Sequence, residues 1–420
     1  MTAQQAQSID VDFAQAGSLG NAILEQLNAL REVDPIHWSD ASQGWLITRH
    51  ADVDDALQGK FPLSLKRVEL IMFSPLSPAE QAELPVLRKY LRYFPIEMDP
   101  PEHTRLRKLL VKAFSRKVVE AQRPFVRERV QTLMARLERT PEIEFNEEIA
   151  RPLPGSLILK LLGIPQDEIV RLRDWANAIV EALGVPFADM TAKKRAERAM
   201  HEMTELFKSV IAERRRAPLG DDLVSAMLAA NEDGDRLSED EIIGAMHLVL
   251  IAGHDTTSST LTLGVATLAR HPQLWAYMQQ NPDKMLEACL ELMRHEAMST
   301  AQPRVVAEDF SWHGKQIKKG QFVWLMLAAA NRDPRVYSDP ERLDPQRSND
   351  RSMVFAPGLH HCIGHQLAKL QVTEFFSELV RRFDGVKLLD PELKFMTQIV
   401  FRGVYHLNVR MLPNKTNSSK

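Results

Sequence analysis

The chain reads as a mainly α fold with a minor β part. Ser238-Glu239-Asp240-Glu241 has the form of a capping box and opens a helical stretch with little to stop it until His271-Pro272. After Gly364, the residues Leu367, Leu370, Phe375, Phe376 and Leu379 recur at roughly helical spacing. No Pro/Gly/Ser linker, internal repeat or long low-complexity run divides the 420 residues, so a single domain spanning 1–420 is expected, with short polar tails at 1–12 and 414–420.

Taken in order along the chain, Met1 to Asp12 is polar and lacks both a basic flank and an apolar run, so neither a secretory signal nor a membrane anchor is expected. From Leu63 to Glu97 regular periodicity fails, while Phe73, Tyr90, Tyr93 and Phe94 gather in a chain with only 7% aromatic residues. Asp99-Pro100-Pro101 marks a helix start, and His103 and Arg107, four apart, share a face of that helix. The stretch from Ser238 to His271 is about 30 residues, or roughly 45 Å, enough to cross a domain. Gly253 stands near its middle. Glycine there serves either close packing against a crossing helix or, with Thr256 turning its hydroxyl onto the Ala252 carbonyl, a local bulge or kink. Cys289 lies among Leu286, Leu290, Leu292 and Met293, as a small buried apolar residue would.

Composition sets limits on function. With 44% hydrophobic residues the chain can bury a large core, and 26% charged residues at net charge -3 give an ordinary soluble surface with no expected nucleic-acid partner. The longest apolar stretch, Leu248 to Ala252, falls far below the roughly 20 residues of a membrane span, so a cytoplasmic protein without membrane association is expected. Two cysteines argue against a disulfide framework.

Cys362 lies in the glycine-bracketed loop Phe355-Ala356-Pro357-Gly358-Leu359-His360-His361-Cys362-Ile363-Gly364-His365, which runs into the helix after Gly364. A sulfur at a helix N-terminus meets unpaired N–H groups and the positive end of the dipole, which favour a thiolate. Such a thiolate is a ligand or a nucleophile. The loop closely resembles the haem-binding loop of the cytochrome P-450 superfamily, Phe-Gly-x-Gly-x-His-x-Cys-x-Gly, matching at Phe355, Gly358, His360, Cys362 and Gly364, with Ala356 in place of the first glycine. The resemblance implies the cytochrome P-450 fold, a long central helix with haem b (iron protoporphyrin IX) between it and the Cys-loop helix, and Cys362 as the iron ligand.

Three further motifs extend the resemblance in family order. Ala252-Gly253-His254-Asp255-Thr256 is similar to the Ala-Gly-x-Asp/Glu-Thr motif of the dioxygen groove, which implies that Thr256 offers a hydroxyl to dioxygen and that Asp255 brings solvent protons to it. Glu291-Leu292-Met293-Arg294 resembles the Glu-x-x-Arg motif, whose third member is Arg347 or Arg342. His103 and Arg107, with Arg304 and His360, stand where the family contacts the haem propionates, whose charges require donors.

By the same resemblance the roof of the pocket is Leu63 to Glu97, with Phe73, Tyr93 and Phe94 as candidates. Other substrate-contacting segments are Trp175 to Phe187, Leu248 to Thr256 (Leu248, Ala252 and Thr256), Ser299 to Gln302 (Thr300) and Gln398 to Phe401 (Val400). Each of these residues reads equally well as core. The implied substrate is a hydrophobic small molecule, such as a terpenoid, steroid, fatty acid or polyketide, that is hydroxylated or epoxidised. A short polar tail follows Pro413, so electrons are expected from a separate ferredoxin and ferredoxin reductase, with the enzyme a monomer. Arg105, Lys108, Lys112, Arg116 and Lys117 form a basic run that is either a ferredoxin dock or a solvated helix face. Zinc binding by His360, His361, Cys362 and His365 is disfavoured because consecutive ligands converge poorly. The alternatives within the resemblance are a haem-thiolate sensor and a peroxygenase, and the Asp255-Thr256 pair favours oxygen activation over both.

Overall fold

A computed structural model describes residues 10–184, 189–217, 220, 222–390, 392–397 and 400–414, and is predominantly helical with small sheets. The single-domain expectation meets a chain divided into two compact units, each assembled from separated segments. One comprises Met1–Leu63, Val126–Leu153 and Thr256–Lys420; the other comprises Ser64–Phe125 and Pro154–Asp255.

The first unit carries most of the strands. Ile36–Ser39 pairs antiparallel with Gly44–Ile47, which runs parallel to Phe322–Leu325, and that strand pairs antiparallel with Gln302–Val306. Arg304 is thereby fixed opposite Val323. Leu46, Ile47, Val323 and Leu325, fully buried, anchor two apolar clusters around this sheet. A second sheet joins Phe383–Leu388, Asn408–Pro413 and Glu142–Glu144. The helices Met285–Glu296 and His365–Arg382 complete the unit's frame, each with an apolar stripe turned inward.

The second unit is built on helices, among them Glu102–Ala113, Ile169–Gly184 and Met190–Arg216. The last shows a core-facing stripe of Ala196, Met200, Met203, Phe207 and Val210. The Asp189 carboxylate caps its start by accepting from the Ala192 N–H.

Helix Glu239–Arg270 gives its first half to the second unit and its remainder to the first. Its capping box is formed: the Ser238 hydroxyl accepts from the Glu241 N–H at 3.3 Å, and the Glu241 carboxylate accepts from the Ser238 N–H at 2.7 Å. The helix continues through Ala252–Thr257 without interruption. At Gly253 the structure shows close approach: an added Cβ would stand 2.9 Å from Ile158 Cδ1. No helix among the described residues is long and apolar enough to cross a membrane.

Candidate functional site

In the first unit, four backbone hydrogen bonds fold the Cys362 loop: Ala356 N–H to Met353 O (3.0 Å), His361 N–H to Gly358 O (3.1 Å), Cys362 N–H to Phe355 O (2.9 Å) and His365 N–H to Cys362 O (3.3 Å). Gly358 has φ 92°, and a Cβ there would run into the Leu57 carbonyl, so glycine is required twice over. Ala356 also has positive φ, 48°, in the left-handed region that the more usual glycine would occupy freely. Its methyl is buried among Val53, Leu57 and Met353, which offsets part of that strain.

Gly364 caps helix His365–Arg382, so the sulfur of Cys362 stands two residues before the cap, at the positive end of the helix. Cys362 is exposed, whereas Cys289 is buried and burial pushes its thiol far up. Of the two, Cys362 has the accessible, thiolate-favouring setting that an iron ligand requires. Phe355 packs edge-on against His361 and His365, with Lys369 over its ring. Among the described residues no cluster of three or more His, Cys, Asp or Glu side chains is arranged to hold a metal ion.

Behind the loop, Glu291 and Arg294 form a fully buried bidentate pair at 2.7 and 2.8 Å. Arg347, not Arg342, reaches Glu291, at 3.2 Å; Arg342 stays exposed and pairs with Asp344. Arg347 also donates to the carbonyls of Ser338, Asp339 and Arg342, and Arg294 donates to that of Asn331. Sequence reasoning missed Tyr337, whose ring lies 5.2 Å from the Arg294 guanidinium and 6.0 Å from that of Arg347. It also missed Asn331, whose side-chain oxygen accepts from the Met353 N–H at 2.8 Å and so ties this network to the loop's entrance.

Two candidate substrate segments of this unit are zipped together. Thr300 N–H donates to Val400 O at 3.0 Å, Arg402 N–H donates to Met298 O at 2.7 Å, and Ser299 bridges Phe401. The Arg402 guanidinium clamps the joint through Glu296, at 2.9 Å. Thr300 is buried and Phe401 exposed. Arg304 is buried, donating to Pro303 O and to the Gln302 side chain. Downstream of Thr256, the hydroxyls of Thr260 and Thr262 donate to the carbonyls of Thr256 and Ser258, four residues back.

In the second unit, His103 is buried on helix Glu102–Ala113 and pushed down to about 4, first by burial and then by the charge of Arg107. Near neutral pH it is an uncharged donor beside a cationic one. The basic run is partly neutralised. Arg105 binds Asp235 and Glu241, and Lys112 binds Glu232 and the Asn231 carbonyl, leaving Lys108, Arg116 and Lys117 exposed. Phe73 and Phe94 are almost fully buried, Leu248 is buried, and Tyr93 sits against Gly244. His254 and Asp255 are joined side chain to side chain at 2.9 Å. Val185 to Phe187, Gln398 and Ile399, from two of the candidate substrate segments, and residues 1–9 and 415–420 of the two expected polar tails lie outside the described residues.

Within the first unit the residues present fit a thiolate-held prosthetic group bearing carboxylates: Cys362 stands on a hydrogen-bonded loop at a helix N-terminus, with Arg304 and His360 in the same unit as candidate carboxylate partners. A family model described as Cytochrome P450 matches residues 172–404. The chain is similar to cytochrome P450 107B1 of Saccharopolyspora erythraea, 34% identical over 383 residues covering 90% of this chain and 92% of that protein. It is similar to the vitamin D(3) 25-hydroxylase of Pseudonocardia autotrophica, 32% identical over 393 residues, 92% of this chain and 93% of the other. Among solved structures it resembles the bacillaene polyketide synthase cytochrome P450 PksS of Bacillus subtilis 168, with a TM-score of 0.84 at 27% identity over 94% of this chain and 98% of that one.

Proposed function

Since the chain belongs to the cytochrome P450 family and is a haem-b monooxygenase, we propose that Cys362 is its iron ligand and that its substrate is a hydrophobic small molecule. The observation that carries the ligand assignment is an exposed cysteine in a hydrogen-bonded loop at a helix N-terminus, while the chain's other cysteine is buried. When bound, haem b supplies dioxygen activation and transfer of one oxygen atom to the substrate.

The chain's own residues supply the rest. Cys362 donates electron density from its thiolate. Gly358 keeps the loop close against Leu57, Gly364 leaves open space at the helix start, and Phe355 shields the loop. His103, Arg107, Arg304 and His360 meet the propionates by hydrogen bond or charge. Ala252 gives the long helix a small exposed residue one turn before Thr256, Gly253 lets the helix lie against Ile158, Thr256 holds a hydroxyl proton for the distal side, and Asp255 brings protons in from solvent. Phe73, Tyr93, Phe94, Leu248, Thr300 and Val400 favour an apolar substrate, and relatives named for vitamin D(3) and for polyketide biosynthesis support that class.

Electrons come from a ferredoxin and its reductase. Lys108, Arg116 and Lys117 offer the docking charge, Arg105 and Lys112 being already engaged. Ferredoxin-supported turnover that stays flat as salt rises from about 10 to 300 mM would remove the electrostatic part of this reading.

The test of the ligand is the carbon monoxide difference spectrum of the dithionite-reduced protein. The strongly red-shifted Soret band of a thiolate-ligated ferrous haem is expected, and Cys362→Ser should abolish it. A histidine-type band in the wild type, or a red-shifted band that survives in the variant, rules the assignment out.

A further inference from the structure

Asp255 has a neighbour that the motif leaves as any residue. Side chains one apart on a helix point in different directions, yet His254 Nδ1 lies 2.9 Å from Asp255 Oδ1. The ring is only 7% exposed. Its room is provided by Gly155 on helix Pro152–Leu162: a Cβ at Gly155 would stand 3.3 Å from His254 Cδ2 and 3.0 Å from Ile169 Cδ1. His254, Asp255, Gly155 and Ile169 all belong to the same compact unit. The side chain is therefore held in a close-fitting slot, with one nitrogen turned to the carboxylate.

We propose that His254 is a positioning residue for Asp255: it fixes the carboxylate's rotamer and hands it protons. In the neutral ring with hydrogen on Nδ1, that nitrogen donates to Asp255 Oδ1 and Nε2 presents a lone pair. A water proton taken up at Nε2 is matched by release of the Nδ1 proton to Oδ1. Exchange with solvent, which takes the proton off Nε2 and returns one to Nδ1, resets the pair, so one proton is passed on, no electrons move, and the imidazole ends neutral. This rests on the reading of Asp255 as the proton carrier to dioxygen.

The experiment compares wild type, His254→Leu, His254→Gln and Asp255→Asn as holoenzymes. The measured quantities are the fraction of NAD(P)H electrons recovered in product, the same turnover driven by hydrogen peroxide, and the substrate-induced shift of the Soret band. His254→Leu is expected to lower coupling about tenfold, less than the roughly 100-fold or more of a lost acid-base group, because Asp255 itself remains. Peroxide-driven turnover, which brings its own protons, and the substrate shift should both persist. His254→Gln, which keeps an N–H donor, should recover part of the coupling. Wild-type coupling in His254→Leu, with Asp255→Asn uncoupled, overturns the role of His254 alone. Wild-type coupling in Asp255→Asn overturns the proton-carrier reading beneath it. Independently of any variant, 15N imidazole shifts of the wild-type ferrous carbon monoxide form must show hydrogen on Nδ1 of His254, and a ring protonated only at Nε2 overturns the inference even where His254→Leu fails to fold.

Discussion

Ala356 and Gly358 stand two residues apart in the Cys362 loop, both with positive φ, 48° and 92°. They respond oppositely to the same chemical exchange. Ala356→Gly relieves about 1 kcal/mol of backbone strain but gives up a buried methyl worth about 0.8 kcal/mol and loosens the unfolded chain. The net change in a urea melt should stay within about 1 kcal/mol. Gly358→Ala adds strain and drives a methyl into the Leu57 carbonyl, so a loss above about 2 kcal/mol, with poor haem uptake, is expected. The loop and the helix start behind its cysteine were legible in the sequence because a cysteine bracketed by glycines before a helical run stands out. The backbone sign at Ala356 was not, since only the surrounding cluster of Val53, Leu57 and Met353 shows why alanine is accommodated there.

Helix Met285–Glu296 is joined to the later meander by Glu291, whose carboxylate takes Arg294, Arg347 and the Asp344 N–H together. Removing Arg347 leaves Glu291 paired with Arg294 but takes one donor from its carboxylate and the donor from the Ser338, Asp339 and Arg342 carbonyls. Arg347→Ala should therefore cost about 1–3 kcal/mol and depress haem content, read as the haem-to-protein absorbance ratio. Arg342→Ala, at an exposed ion pair, should stay within about 0.5 kcal/mol. Equal effects of the two substitutions would contradict the assignment. The helix pair itself followed from a three-residue spacing. The choice of Arg347 did not, because Arg342 and Arg347 lie within one loop and only the loop's path decides which guanidinium turns inward. Tyr337 left no sequence signal at all. The long helix was legible from its capping box and from the lack of breakers, but which of the two readings of Gly253 holds was not: the close approach to Ile158 on another helix is information that no local pattern contains.

Across the whole molecule, the division into two units built from separated segments was invisible in the sequence because it arises from contacts between distant stretches, with no change of composition at the boundaries. Acid stability belongs to this scale as well. His247, on the long helix, is fully buried between Phe207 and Tyr90, and burial pushes it down to about 3. The Thr204 hydroxyl gives its proton to Met200 O, so His247 Nε2 must be the donor to Thr204, which leaves Nδ1 facing the Met203 sulfur. Above the ordinary value of 6.5 the ring is neutral in both folded and unfolded chains. Between 6.5 and about 3 the unfolded chain binds a proton that the fold refuses, so stability falls as pH drops, by about 1.4 kcal/mol per unit well inside that window. Denaturant melts from pH 7 to pH 4 should show this slope and show it reduced in His247→Gln; an unchanged slope would remove His247 as the cause.

The contrast between the two cysteines makes the chain its own occupancy gauge. Cys362 is exposed and Cys289 buried with its thiol held protonated. Iodoacetamide should therefore add a single carbamidomethyl group to native protein lacking haem, none to the haem-loaded form, and two after unfolding, one per cysteine of the chain. Intact-mass spectrometry of a partly loaded sample would then read the loaded fraction by weight rather than by colour.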